Sequence, residues 1–149
     1  MLLLLVVLQA AHVAFLWLHD WAPLPPLNDV KAARAADSTA RLARTTLIQS
    51  VPYTIGLIFS LIELQGGFQT WLWYWLWISY VALFMGELRA WWIPYLIKAE
   101  PARAARYRTL FGATHSFLPE RNGMKPNTLH IVLHAITAAT LIVLATLTL

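Results

Sequence analysis

The 149-residue chain is 59% hydrophobic and 12% charged, against about 25% charged in an ordinary soluble domain. That balance excludes a soluble fold able to hide its apolar surface, and the lack of cysteine excludes disulfides, thiolate metal sites and thiol chemistry. The net charge of +4 sits beside apolar segments, so anionic lipid headgroups are the expected partner and nucleic acid is not.

Four segments approach the roughly 20 apolar residues that a helix needs to cross a bilayer. They cover about 2–18, 46–64, 68–96 and 129–149, in a single membrane domain 1–149 with loops at 19–45 and 97–128. Backbone groups cannot stay unpaired in lipid, so the expected fold is all-α, a four-helix transmembrane bundle.

The first span lacks a basic start and a small-residue cleavage site after it, so it is expected to be retained. Gln9, His12 and His19 share one face of it, and Trp17 and Trp21 mark its inner end. Pro23, Pro25 and Pro26 then bar a regular helix. Asn28 or Asp29 caps a helix predicted to run through Arg44 into the second span, with Asp37 and Arg41 spaced to pair on it. In the second span Gln49, Tyr53, Gly56, Ser60 and Glu63 recur within a sector of about 80°, a polar stripe that should face other helices.

Gln65-Gly66-Gly67 turns the chain into the third span. Trp71, Trp73 and Trp75 mark its outer end and Trp91, Trp92 and Tyr95 its inner end. Ser79, Ala82, Gly86 and Ala90 form a small-residue groove, with Tyr80 and Glu87 on the adjacent face. In the third loop Pro101 starts and Gly112 ends a short amphipathic helix expected to lie in the inner interface. Asn122-Gly123 reads as a turn, and Asn127 as the cap of the fourth span. On that span His130, His134 and Thr137 share a face.

All Lys and Arg residues fall in or beside two alternate loops. Lys31, Arg34, Arg41 and Arg44 belong to the first, and Arg89, Lys98, Arg103, Arg106, Arg108, Arg121 and Lys125 to the other. Positive loops stay in the cytoplasm, which puts both termini and the Gly66-Gly67 turn outside. Every histidine then lies in the cytoplasmic half. His12, His134, Gln49, Tyr53 and Glu87 are the candidate ligand-binding set. His130 and His134, spaced i, i+4, are candidate metal ligands, with His115 to complete the set and His12 or Glu87 as substitutes. Imidazole and carboxylate suit zinc, iron or manganese, and haem between His12 and His134 ranks behind such a metal. The plainer alternative is that these histidines only hydrogen-bond at an interface. For Glu87, pairing with a basic neighbour such as Arg89 ranks ahead of a proton-carrying role. Arg103, Arg106, Arg108, Arg121 and Lys125 are the expected lipid-headgroup contacts.

Three stretches carry a resemblance: Arg89-Ala-Trp-Trp-Ile-Pro-Tyr95, Phe111-Gly-Ala-Thr-His-Ser-Phe-Leu-Pro119 and Pro126-Asn-Thr-Leu-His-Ile-Val-Leu-His134. With Leu18-His19-Asp20-Trp21 and Pro26-Leu27-Asn28-Asp29, they resemble small uncharacterised bacterial four-pass membrane proteins. The resemblance implies a bacterial inner-membrane setting and carries over no activity. The leading functional reading is a non-catalytic accessory, lipid-binding or oligomeric module. It would self-associate, or join a larger complex, through the Ala82-Gly86-Ala90 groove and the Ala135-Ala139 pair. A small metal- or haem-binding membrane enzyme comes second. A compact transporter comes third: the chain is similar to four-helix multidrug exporters in helix number and in having a membrane glutamate, but its first span has none.

Overall fold

The computed structural model describes residues 1–149. The chain is all-helical, with 72% of its residues in helix and no strands. In order come α1 (Leu2–Leu18), α2 (Val30–Ala36), α3 (Thr39–Ile62), α4 (Thr70–Glu87), a π turn (Leu88–Trp92), α5 (Ile93–Leu96), α6 (Pro101–Phe111) and α7 (Thr128–Thr148). Two of these, Thr39–Ile62 and Thr128–Thr148, are long and apolar enough to cross a membrane, with mean hydropathies of 1.4 and 2.1. Leu2–Leu18 is apolar but shorter. In α4 the rings of Trp71, Trp73, Tyr74, Trp75, Trp77 and Tyr80 temper an otherwise aliphatic helix.

The four longest helices pack antiparallel in a closed ring, α1 on α3, α3 on α4, α4 on α7 and α7 on α1. Both termini and the Gly66-Gly67 turn lie at one end, the turn end; the long loops lie at the other, the loop end. The main core fills the middle, with Leu5, Leu72, Leu76 and Leu144 at 0–1% exposure. Gly56 is what lets α3 meet α4 closely, since a Cβ there would stand 3.2 Å from a Leu76 methyl. A second, smaller cluster at the loop end joins Trp91, Tyr95, Ala99 and Met124.

Several local signals form as their chemistry dictates. Asp29 caps α2 by accepting from Ala32 N at 2.9 Å, and Asn127 caps α7 by accepting from His130 N at 3.1 Å. Pro101 opens α6 and Gly112 follows its last turn. Asn122 and Gly123 both take positive φ, 54° and 74°, in a turn closed by Arg121 and Met124.

Three expectations need correction. The helix predicted to run from Asn28 or Asp29 through Arg44 is broken at Asp37, whose backbone is extended, and Ser38 caps a new helix by accepting from Arg41 N. Short polar side chains that bond to nearby backbone favour such breaks. Asn28 is not a cap: it staples the preceding loop, accepting from Leu24 N at 2.7 Å and donating to the carbonyls of His19 and Ala22 at 2.7 and 2.8 Å. Trp91 and Tyr95 are not surface anchors but are buried at 5% and 7%. The apolar side of α6 explains this: Ala104, Tyr107 and Phe111 cover that cluster, so this helix spends its apolar face inside the protein.

Candidate functional site

Two polar zones lie one above the other in the loop-end half. The deeper one is built where the four long helices meet. On α3 the buried face runs Leu42, Thr46, Ser50, Tyr53, Gly56 and Ser60, steps of three and four that follow the helical period. Tyr53, Gly56 and Ser60 thus point inward, but Gln49 is exposed and Ser50 takes the inner position. Gln49 shares the phase of the buried face, but it lies at the level where the bundle opens into the cleft. Gln49 lines the upper zone instead.

His12 of α1 is completely buried. Its ring stacks on Tyr53 (centroids 5.3 Å, interplanar angle 16°) and meets the edge of Tyr80 (5.3 Å, 89°). Tyr53 donates its hydroxyl to the Ser79 carbonyl at 3.1 Å. Thr137 of α7 donates to Glu87 Oε1 at 2.7 Å. Both nitrogens of His12, the Tyr80 hydroxyl, the Ser50 hydroxyl and Glu87 Oε2 are buried with no hydrogen-bond partner. Tyr53 lies within electrostatic range of Glu87, and His12 of His134.

His134 Nδ1 is 3.0 Å from the Trp92 indole nitrogen. An indole N–H only donates, so this nitrogen accepts and the ring carries its proton on Nε2. One turn earlier His130 has the opposite tautomer. Its Nδ1 is 2.6 Å from Asn127 Oδ1, and Asn127 donates its amide nitrogen to the Leu27 carbonyl at 3.1 Å, which fixes the amide and makes His130 Nδ1 the donor. The His130 ring is walled by Trp91 at 4.6 Å, Phe111 at 5.0 Å and His19 at 5.9 Å.

The upper zone is a cleft of about 330 Å³ between α2, α3, α6 and the first turn of α7. His19, Asp20, Asp29, Asp37, Arg106 and His130 are among its lining residues. His19 Nε2 is 3.3 Å from Asp20 Oδ2. Asp37 is gripped by Arg41 at 3.1 Å and by Arg106 of α6, which ties the first loop to the third. Burial pushes the Tyr107 phenol up in pKa, and the nearby Arg103 and Arg106 pull it partly back.

The structure brings His12, Tyr53, Glu87 and His134 to one level of the interior. It does not assemble the candidate metal set. His130 and His134 hold their rings 6.4 Å apart and tilted by 64°, each with Nδ1 already engaged. His115 is exposed and bonds Thr128 Oγ1 at 2.8 Å, while its backbone joins Pro26 to Thr128. No group of three His, Cys, Asp or Glu is placed to hold one metal ion. Two of the expected headgroup contacts are also redirected: Arg106 pairs with Asp37, and Arg108 with Glu120 at 3.3 Å. Arg103 donates to the Arg89 carbonyl at 3.1 Å, and Arg103, Arg121 and Lys125 have no carboxylate partner.

Trp92 and Thr137, the partners of His134 and Glu87, were not in the predicted set. Thr137 sits one turn beyond His134 on the same face, a spacing that was readable; Trp92 was read as an interface anchor, and nothing in its neighbours distinguishes the two roles. No protein-family model, curated protein or solved structure matches this chain.

Proposed function

We propose that the chain is a four-pass protein of the bacterial inner membrane, with both termini outside, acting as a non-catalytic binding module. Its loop end faces the cytoplasm, and there, outside the cleft, Arg103, Arg121 and Lys125 are the cations free to meet the ligand, anionic lipid headgroups. One observation carries this reading: polarity is inverted. Leu3, Leu47, Ile48, Ile62, Ile78, Met85 and Ile142 are exposed on the long helices, while Gln9, His12, Ser50, Glu87 and Thr137 are buried among them. Water would penalise that exterior, and lipid would penalise polar groups placed there, so the arrangement suits a hydrocarbon solvent. The charge asymmetry of the loops supports the direction.

Single cysteines at positions 1, 66 and 149, in a chain that has none of its own, should react with an impermeant reagent from outside the cell. Labelling of position 66 only from the cytoplasm would overturn the orientation. Reversing Arg103, Arg121 and Lys125 to Glu should strip co-purifying anionic lipid without unfolding the protein. Unchanged lipid retention would overturn the headgroup role.

A further inference from the structure

The unpartnered atoms of the interior are not scattered. His12 comes from α1, Ser50 from α3, and Tyr80 and Glu87 from α4; His134 of α7 lies beside them. Two of these residues, His12 and Glu87, can gain or lose a proton near neutrality when their surroundings allow it, and His134 is a third. The interior presents no Lys or Arg to neutralise Glu87. Toward the loop end more titratable groups follow. His134 and His130 are 6.4 Å apart between centroids, His130 and His19 are 5.9 Å apart, and His19 touches Asp20. His19, Asp20 and His130 line the open cleft. Gaps of this size are closed by one bridging water or a ring rotation.

Toward the turn end the path stops. Gln9 and Ser60 bond each other reciprocally at 3.0 and 3.1 Å. The layer holding Leu5, Leu72, Leu76 and Leu144 is apolar and closed. The titratable chain therefore has one mouth and a blind end.

We propose that Glu87, with His12 and His134, is an internal proton-binding site reached only from the cleft, so that the protein takes up a proton from that side. One proton leaves bulk water and joins the cluster, on Glu87 Oε2 or on His134 Nδ1, where it displaces the Trp92 N–H; no covalent bond other than that O–H or N–H forms, and the interior gains one positive charge. The titratable groups around it are His12 from α1, Tyr53 from α3, Tyr80 from α4 and His134 from α7, with His130 of α7 and His19 after α1 leading to the cleft. Trp92 reports on the site, because a proton on His134 Nδ1 must break its indole bond. The chemistry does not rest on the membrane orientation proposed above, which decides only the compartment that supplies the proton.

The test is infrared difference spectroscopy of the purified full chain across a pH series, with nitrogen-15 spectra of labelled histidine. A protonated-carboxyl stretch that shifts in heavy water should be present in the parent and missing in Glu87→Gln, a variant that keeps the acceptor for Thr137. The proton affinities of His12 and His134 should change several-fold in the same variant. A band unchanged by Glu87→Gln, or histidine titrations indifferent to it, would overturn the proposal. Should Glu87→Gln fail to fold, Trp92→Phe serves: it should keep the carboxyl band and abolish the pH-dependent tryptophan signal, and loss of neither or of both refutes the site. His130→Phe should slow proton uptake after a pH jump about tenfold or more while leaving the end point in place; an unchanged rate would sink the path.

Discussion

Asp37 and Glu87 are both carboxylates set among helices, and they are treated in opposite ways. In the loop layer Asp37 holds two arginines, Asn28 spends its amide on three backbone groups, and His115 and Asn127 stitch the first loop to the last helix. In the bundle interior Glu87 has one hydroxyl on one oxygen, and His12 and Tyr80 have nothing. Polar groups in the loop layer serve stability. The unpartnered atoms of His12, Ser50, Tyr80 and Glu87 are kept against it, since an unpaired buried polar group costs about 1–3 kcal/mol.

The comparison can be broken by mutation. Asn28→Ala should have the largest effect, a loss of about 2–4 kcal/mol for three bonds and the groups left behind. Thermal unfolding in mild detergent checks it; an unchanged midpoint would mean the loop layer is not held as described. Asp37→Ala should cost less, about 1–2 kcal/mol, because Arg41 and Arg106 are themselves largely solvated. Limited proteolysis of the 19–38 segment should accelerate with it. Tyr80→Phe should act with the opposite sign, raising stability by about 1 kcal/mol by deleting an unpaired hydroxyl. If it destabilises, the interior is as saturated as the loops and the contrast fails. Gly86→Leu should change the stability of a single chain by less than about 0.5 kcal/mol, because nothing lies within 4 Å of a Cβ there. Only an association with another copy or subunit through that face would feel it, and particle mass in detergent reads this directly.

Much of the fold was legible because it rests on local rules. Apolar length located the four long helices, and Asp29, Pro101, Asn122-Gly123 and Asn127 punctuated the loops as their backbone chemistry requires. The break at Asp37-Ser38 was missed because an i, i+4 spacing to Arg41 looks the same in one helix or across two. Within the site, helical phase was enough to bring His12, Tyr53, Glu87 and His134 together. It failed at Gln49, which shares the phase of the buried face but lies beside the open cleft, where phase alone does not decide burial. The partner of Arg106 was not legible: it meets Asp37 across 69 positions of sequence, and no periodicity reports a contact that only the tertiary fold creates.

The π turn at Leu88–Trp92 has a consequence for chain length. Its last bond runs from Ile93 N to the Leu88 carbonyl, one residue wider than an α-helical bond, just before Pro94, which has no N–H to offer. Such a widening is an extra residue taken up without moving the helix on either side. Removing Arg89 would therefore let α4 and α5 relax into one ordinary helix with both flanks near their present places. The same deletion at Val81 has no slack to draw on and would turn everything after it by about 100°, swinging Glu87 out of the interior. A scan of single-residue deletions along 78–92 should find a narrow window of tolerance at the wide turn and intolerance before it.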